Sequence, residues 1–233
     1  MRLPVIILSA IVLQACSTRC EYAVNAIQDG LIRIDGERNE NIWSNAVSIT
    51  SFKNPWNREV SPATSFSMLK DNNHLYFCFD VKDNEILLEP AVSNERDIEK
   101  EDRVELFFSK DKEMKEYYCI EMDPGGRTLS YAAGYYRQFN FNWEPPAGFQ
   151  VAAQVYTGGY TVEGSVPIAF IQSLCANNRL YLGVYRAEFS KKDTTVVENW
   201  LTWIDPQTSF PDFHVPATLG VLMIGGDGKK TMY

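Results

Sequence analysis

From Leu31 onward, apolar residues come in short runs of alternating parity, and turn residues divide the runs. Alternation over a handful of residues marks a half-buried β-strand, because successive side chains point to opposite faces. ATSFSMLK and HLYFCFDV flank the turn DNN and predict a hairpin. RVELFFS and EYYCIEM follow, and the tight turn DPGGR leads into TLSYAAGYY. FQVAAQVY and YTVEGSVPI are joined by TGG, and RLYLGVYRAEF, NWLTWI and LGVLMI complete a set of about ten strands. IAFIQSL predicts a short helix. The Asp35-Gly36 turn opens ERNENIW, which predicts one helical turn anchored by Trp43. Many short strands with Gly and Asn turns predict an all-β sandwich or barrel.

Parity also assigns faces. In YTVEGSVP, Tyr160, Val162 and Val166 share one side, and Thr161, Glu163 and Ser165 the other. In DRVELFF, Val104, Leu106 and Phe108 share one face, while Arg103, Glu105 and Phe107 share its opposite. That second face mixes charge with an aromatic ring, which suits a ligand floor or a half-covered sheet.

Composition changes the picture at the N-terminus. The run Leu3 to Leu13 follows a single cation, Arg2, and is too short to span a bilayer, which takes roughly 20 apolar residues. It predicts a secretory signal over residues 1–15. Leu13-Gln14-Ala15-Cys16 resembles a bacterial lipobox, with Cys16 as the lipidated residue; the alternative is an ordinary cleaved signal with an incidental cysteine. Residues 16–29 then form a tether, and residues 30–233 one domain. The expected location is exported and lipid-anchored to the cell envelope, at the outer membrane, with membrane contact through the anchor alone.

The net charge of −8 and the absence of a basic stripe argue against nucleic acid. Cys20, Cys78, Cys119 and Cys175 allow three complete pairings that sequence does not choose among; Cys78 and Cys119, inside strand-like runs, read as small buried hydrophobes. No cysteine or histidine spacing suggests zinc.

Two stretches concentrate rings. WIDPQTSFPDFHVPATLG carries three prolines around Phe213 and His214. Proline stiffens the chain and lowers the ordering entropy lost on binding, so Pro211 and Pro216 are expected to hold Phe213 out to water; the alternative is that Phe213 plugs the core. In YYRQFNFNWEPPAGF, alternation places Phe139, Phe141 and Trp143 on one side. Arg186 and Glu188 sit inside an apolar run, as cleft or structural residues. The charged segment Glu85 to Asp102 reads as a long surface loop.

Five stretches in order resemble the family 9 carbohydrate-binding modules: IDGERNENIW, ATSFSMLKDNNHLYFCFDVKD, EDRVELFF, GGYTVEGSVPI and WIDPQTSFPDFHVPATLGVL. They run from about Gly30 to Ile224. The resemblance implies a sandwich of two antiparallel sheets, immunoglobulin- or jelly-roll-like, that binds oligo- or polysaccharide without catalysis. Of two tryptophans that clamp a sugar in such modules, one position falls on Phe213 and the other near Glu99, which is not aromatic. A glutamate contact maps onto Glu105, and an arginine contact maps near Cys119, where it is lost. The expected ligand residues are Phe213, His214, Glu105, Arg103, Trp143 and Arg186. No catalytic residue, metal ligand or cofactor is expected, although calcium follows by family analogy; glycan-degrading enzymes are expected partners. The rival functions are a glycoside hydrolase, for which Glu105, Glu121 and Asp123 could supply a carboxylate pair, a haem protein using Met68 with His74 or His214, and an envelope protein–protein scaffold.

Overall fold

The computed structural model describes residues 20–57, 63–88 and 95–225. The signal and lipidation expectations, including Cys16, lie outside the described residues. In chain order the strands are β1 (Glu21–Ala23), β2 (Asn25–Ala26), β3 (Val47–Ile49), β4 (Thr64–Lys70), β5 (His74–Lys82), β6 (Arg103–Ser109) and β7 (Tyr117–Met122). There follow β8 (Thr128–Gly134), β9 (Gln138–Asn140), β10 (Gln150–Tyr156), β11 (Gly159–Pro167), the helix α1 (Ile168–Leu174), β12 (Arg179–Lys192), β13 (Thr195–Thr202) and β14 (Gly220–Met223).

These strands form a sandwich. One sheet runs β1-β14-β12-β6-β7-β8-β9, with β13 on β12; the other runs β10-β11-β5-β4-β2, with β3 on β4. Among the described residues fourteen strands stand where about ten are expected, and the sheets are mixed rather than purely antiparallel: β1 runs parallel to β14, and β2 parallel to β4. The extra strands, β1, β2, β3 and β9, are two- or three-residue pieces, too short to show alternation. The expected strands β12 and β13 run further than their apolar pattern, because their hairpin continues through SKKDTTVV, where backbone pairing needs no apolar side chain.

Local chemistry explains the turns. Asp71 closes the β4–β5 hairpin: its Oδ1 accepts the Asn73 and His74 amide protons, both at 2.7 Å. Its Oδ2 accepts the Tyr76 hydroxyl at 2.8 Å, a side-chain substitute for backbone partners. The segment after Gly36 makes a 3₁₀ turn, Asn41–Asn45, and buries Trp43 as the pattern predicts.

The main core lies between the sheets. Phe66, Phe77 and Phe79 from one sheet meet Leu106, Phe108, Leu182 and Val184 from the other. Each such side chain contributes roughly 1.5–3 kcal/mol by leaving water. Gly164 is required here, since a Cβ would stand 2.2 Å from the Phe77 ring.

Arg186 also points into this layer. It follows Leu182 and Val184 in phase along β12, so it cannot reach the outer face. Its Nη2 donates to Asp83 at 2.7 Å and its Nη1 to Thr64 Oγ1 at 3.1 Å. It is an inter-sheet tie rather than a cleft residue.

Each outer face carries a smaller covered cluster. Cys78 lies in one and Cys119 in the other, on opposite sides of the sandwich, and both are buried free thiols. Met68 sits between the sheets and His214 beyond the outer face of the β6 sheet, so the two cannot hold one haem. Among the described residues no helix is long and apolar enough to cross a membrane.

Candidate functional site

The outer face of the β6 sheet is not open to water. Three separate segments fold over it: the 3₁₀ turn Glu95–Lys100, the β9 region and the 209–219 loop. Between them and the sheet lies a cavity of about 520 Å³, within the usual size range of small-molecule sites.

Parity builds the floor. Arg103 and Glu105 stand on the outer side of β6, Glu121 is the cross-strand neighbour of Glu105 on β7, and Tyr131 comes from β8. Arg103 Nε lies 2.9 Å from Glu105 Oε1 and 2.7 Å from Glu121 Oε2. Its single Nε–H donates to Glu105. Glu121 Oε1 accepts the Tyr131 hydroxyl at 2.8 Å, and Arg103 Nη1 donates to the Glu99 carbonyl at 3.0 Å. The guanidinium also lies over the Trp200 ring, 5.3 Å from its centroid. Burial pushes both carboxyls above the usual carboxylate range; the charge of Glu121 adds to the rise at Glu105, and Arg103 opposes it at both.

The walls are aromatic and ion-paired. Phe139 and Phe141 are partly exposed and line the cavity. Arg96 lies 4.8 Å above the Phe141 ring and pairs with Glu99 at 2.9 Å. Arg137 bridges to Asp212 at 2.8 Å, tying the β9 region to the 209–219 loop. His214 accepts or donates at Nδ1 to the Tyr117 hydroxyl, 3.0 Å away, and packs on Phe107 and edge-to-face on Phe139. Burial, reinforced by Arg137, lowers its pKa to about 4, so the imidazole is neutral at pH 7.

Arg103, Glu105, Phe213 and His214 are thus brought together, and Trp143 and Arg186 are not. Phe213 borders the cavity but is only 5% exposed. Its ring stacks on Tyr185 at 4.3 Å and 14°, with Trp200 edge-on at 5.4 Å. The expected ring held out to water is therefore corrected: the bend turns Phe213 down onto the sheet. Gly183 makes this possible, because a Cβ there would stand 2.1 Å from the Tyr185 hydroxyl. The most exposed ring of that loop is Phe210, at 79%.

Trp143 fails for a different reason. The β9 strand ends at Asn140, and the chain turns there, with the Trp143 amide donating to the Asn140 carbonyl. Alternation stops with the strand, so Trp143 packs on Tyr118 and Phe170 beside the main core. The Glu85–Asp102 segment is also more than a surface excursion: Ile98, Glu101 and Asp102 are buried, and Glu99 lines the cavity where the resemblance lacks its second ring.

Sequence reasoning missed Tyr131, Arg137, Phe139, Phe141, Trp200 and Asp212 as site residues. Tyr131 shares its strand face with Leu129 and was reachable by parity; the Arg137–Asp212 pair spans 75 positions and leaves no local signal.

Among the described residues, no group of three or more His, Cys, Asp or Glu side chains is placed to hold a metal ion. Asp71, Asp80 and Asp83 are occupied in turns and ion pairs, so they do not fit the calcium that family analogy suggests.

Residues 34–226 match the model of a family described as carbohydrate family 9 binding domain-like. No curated protein sequence matches the chain. Among solved structures, a candidate carbohydrate-binding protein from Bacteroides uniformis ATCC 8492 superposes with a TM-score of 0.68 at 16% identity, over 89% of this chain and 100% of the other. A family 9 carbohydrate-binding module from Caldicellulosiruptor kristjanssonii, in complex with cellotriose, gives 0.55 at 18% identity over 89% and 94%. The same organism's module in complex with glucose gives 0.54 at 18% identity over 92% and 99%. At these identities the likeness is one of fold.

Proposed function

The chain belongs to the carbohydrate family 9 binding domain-like family, and on that premise we propose that it binds a glycan, without cleaving it, in the cavity over the β6 sheet. The observation that carries this reading is the cavity itself, a charged, hydrogen-bonding floor under aromatic walls. A pyranose has apolar C–H faces and a rim of hydroxyls. Phe139, Phe141 and Trp200 line the cavity and supply apolar ring surface for the faces. Arg103, Glu105, Glu121 and His214 supply directional partners for the hydroxyls. The two relatives from C. kristjanssonii are described with cellotriose and with glucose, which supports a saccharide ligand here.

The floor argues against hydrolysis. A glycosidase sets two carboxylates on either side of the scissile bond. Here Glu105 and Glu121 both close on one nitrogen of Arg103, so a cation occupies the space between them. Delivery to the envelope through lipid on Cys16, and work beside glycan-degrading enzymes, complete the proposal; more than one acyl chain would be needed for stable anchoring.

Calorimetry of the full chain with cellotriose should give a dissociation constant between millimolar and micromolar, roughly −4 to −8 kcal/mol. Replacing Phe139 and Phe141 together by alanine should weaken binding about tenfold or more, two ring contacts of roughly 0.5–1.5 kcal/mol each. Release of shorter sugars during prolonged incubation would contradict the non-catalytic reading.

A further inference from the structure

Among the groups lining the cavity are five carboxylates, Glu99, Glu105, Glu121, Glu198 and Asp212, against three guanidinium groups, Arg96, Arg103 and Arg137. Each of those three already faces a carboxylate of the chain: Arg96 meets Glu99, Arg137 meets Asp212, and Arg103 meets Glu105 and Glu121. Acidic groups thus outnumber guanidinium groups by two, and two of the five, Glu105 and Glu121, share the single guanidinium of Arg103 at the floor, where burial makes their negative charge costly.

The floor is also short of guanidinium hydrogens to share. Arg103 Nε carries one hydrogen and lies between two carboxylates, and that hydrogen goes to Glu105. Glu121 Oε2, in a residue only 4% exposed, feels the charge of Arg103 at 2.7 Å but receives no hydrogen bond. His214 is neutral and adds no compensating charge. A buried carboxylate oxygen without a donor is costly, and a ligand that brings donors relieves that cost.

We propose that the cavity selects a sugar bearing a free amino group, a hexosamine unit whose ammonium is received by the Glu105–Glu121 pair, over the matching neutral sugar, and that it rejects uronic acids. This rests on the carbohydrate reading of the site and deepens it.

The donor and acceptor inventory orders the candidates. An ammonium offers three donors, no acceptor and a positive charge. A hydroxyl offers one donor and also accepts. An N-acetyl amide has one donor, a bulk that the small floor must accommodate, and no charge. A uronate carboxylate has only acceptors near neutral pH and adds a sixth negative group to the cavity. The aromatic walls suit the cation as well, since an ammonium near a ring face gains from the quadrupole.

The test compares four monosaccharides with the full chain at pH 7.5, where most of a sugar amine still carries its proton and the floor carboxyls give theirs up more readily than at pH 6: glucosamine, glucose, N-acetylglucosamine and glucuronate. Calorimetry or ligand-observed NMR reads the affinities. Glucosamine should bind at least tenfold tighter than glucose, with N-acetylglucosamine weaker than glucosamine and glucuronate weakest. In Glu121→Gln the glucosamine-to-glucose ratio should fall towards one. Glu198→Gln, at an exposed position on the mouth, should lower the same ratio about twofold and guards against a floor variant that does not fold.

Glucose binding as tightly as glucosamine overturns the amino-sugar preference and leaves the carbohydrate reading standing. Glucuronate binding on a par with glucose, or an unchanged ratio in both variants, also overturns it. Failure of all four sugars to bind overturns both.

Discussion

Arg103 is the residue on which the floor turns. It is 4% exposed and holds two buried carboxylates with one nitrogen. A buried pair of this kind contributes little against a well-packed apolar alternative, but removing one member leaves an uncompensated charge. Arg103→Met is therefore expected to cost about 3–5 kcal/mol of unfolding free energy. The loss should be larger at pH 8 than at pH 6, because at the lower pH the two carboxyls can hold protons instead of charge. Urea unfolding at the two pH values measures this. An equal loss at both would mean that the guanidinium works by packing on Trp200 and Phe189 rather than by charge.

At the scale of elements, a strand's alternation predicts faces only as far as the strand runs. β6 is regular over its full length, and Arg103 and Glu105 stand where parity puts them. β12 is regular too, and the same rule carries Arg186 inward, behind Val184. β9 ends at Asn140, so Phe139 faces the cavity and Trp143 does not. Trp143→Ala should therefore leave sugar affinity unchanged while lowering stability by about 1–3 kcal/mol. The paired comparison with the Phe139 and Phe141 variant separates the two halves of one aromatic stretch. A large loss of affinity in Trp143→Ala would return Trp143 to the site.

At the scale of the molecule, buried carboxyls set the response to pH. Burial raises Asp102 to about 7, against amide donors from Phe189 and Leu87. Burial and then the charges of Glu40 and Asp35 raise Glu163 to about 7. Glu105 moves in the same direction. Ordinary carboxyls in an unfolded chain titrate near 4. The native state thus holds these protons more tightly than the unfolded state, and stability falls as pH rises through the native values. His214 has the opposite sign, but its contribution is complete above its unfolded value of about 6.5. The urea midpoint should therefore decline between pH 6.5 and 8, and Asp102→Asn should flatten that decline. A midpoint that rises across this interval would contradict the assignment.

Much of this molecule is written in the order of its residues. The period-two pattern determined that the chain is β-rich, which side of β6 is apolar, and that Arg103 and Glu105 share a face with Phe107. Backbone geometry alone alternates the side chains, so a few neighbouring positions suffice. Only the tertiary structure decided that three distant segments close over that face. It also turned Phe213 onto Tyr185 and brought Arg137 to Asp212. Those outcomes depend on which surfaces remain uncovered after the sheets have paired, and no local pattern records that.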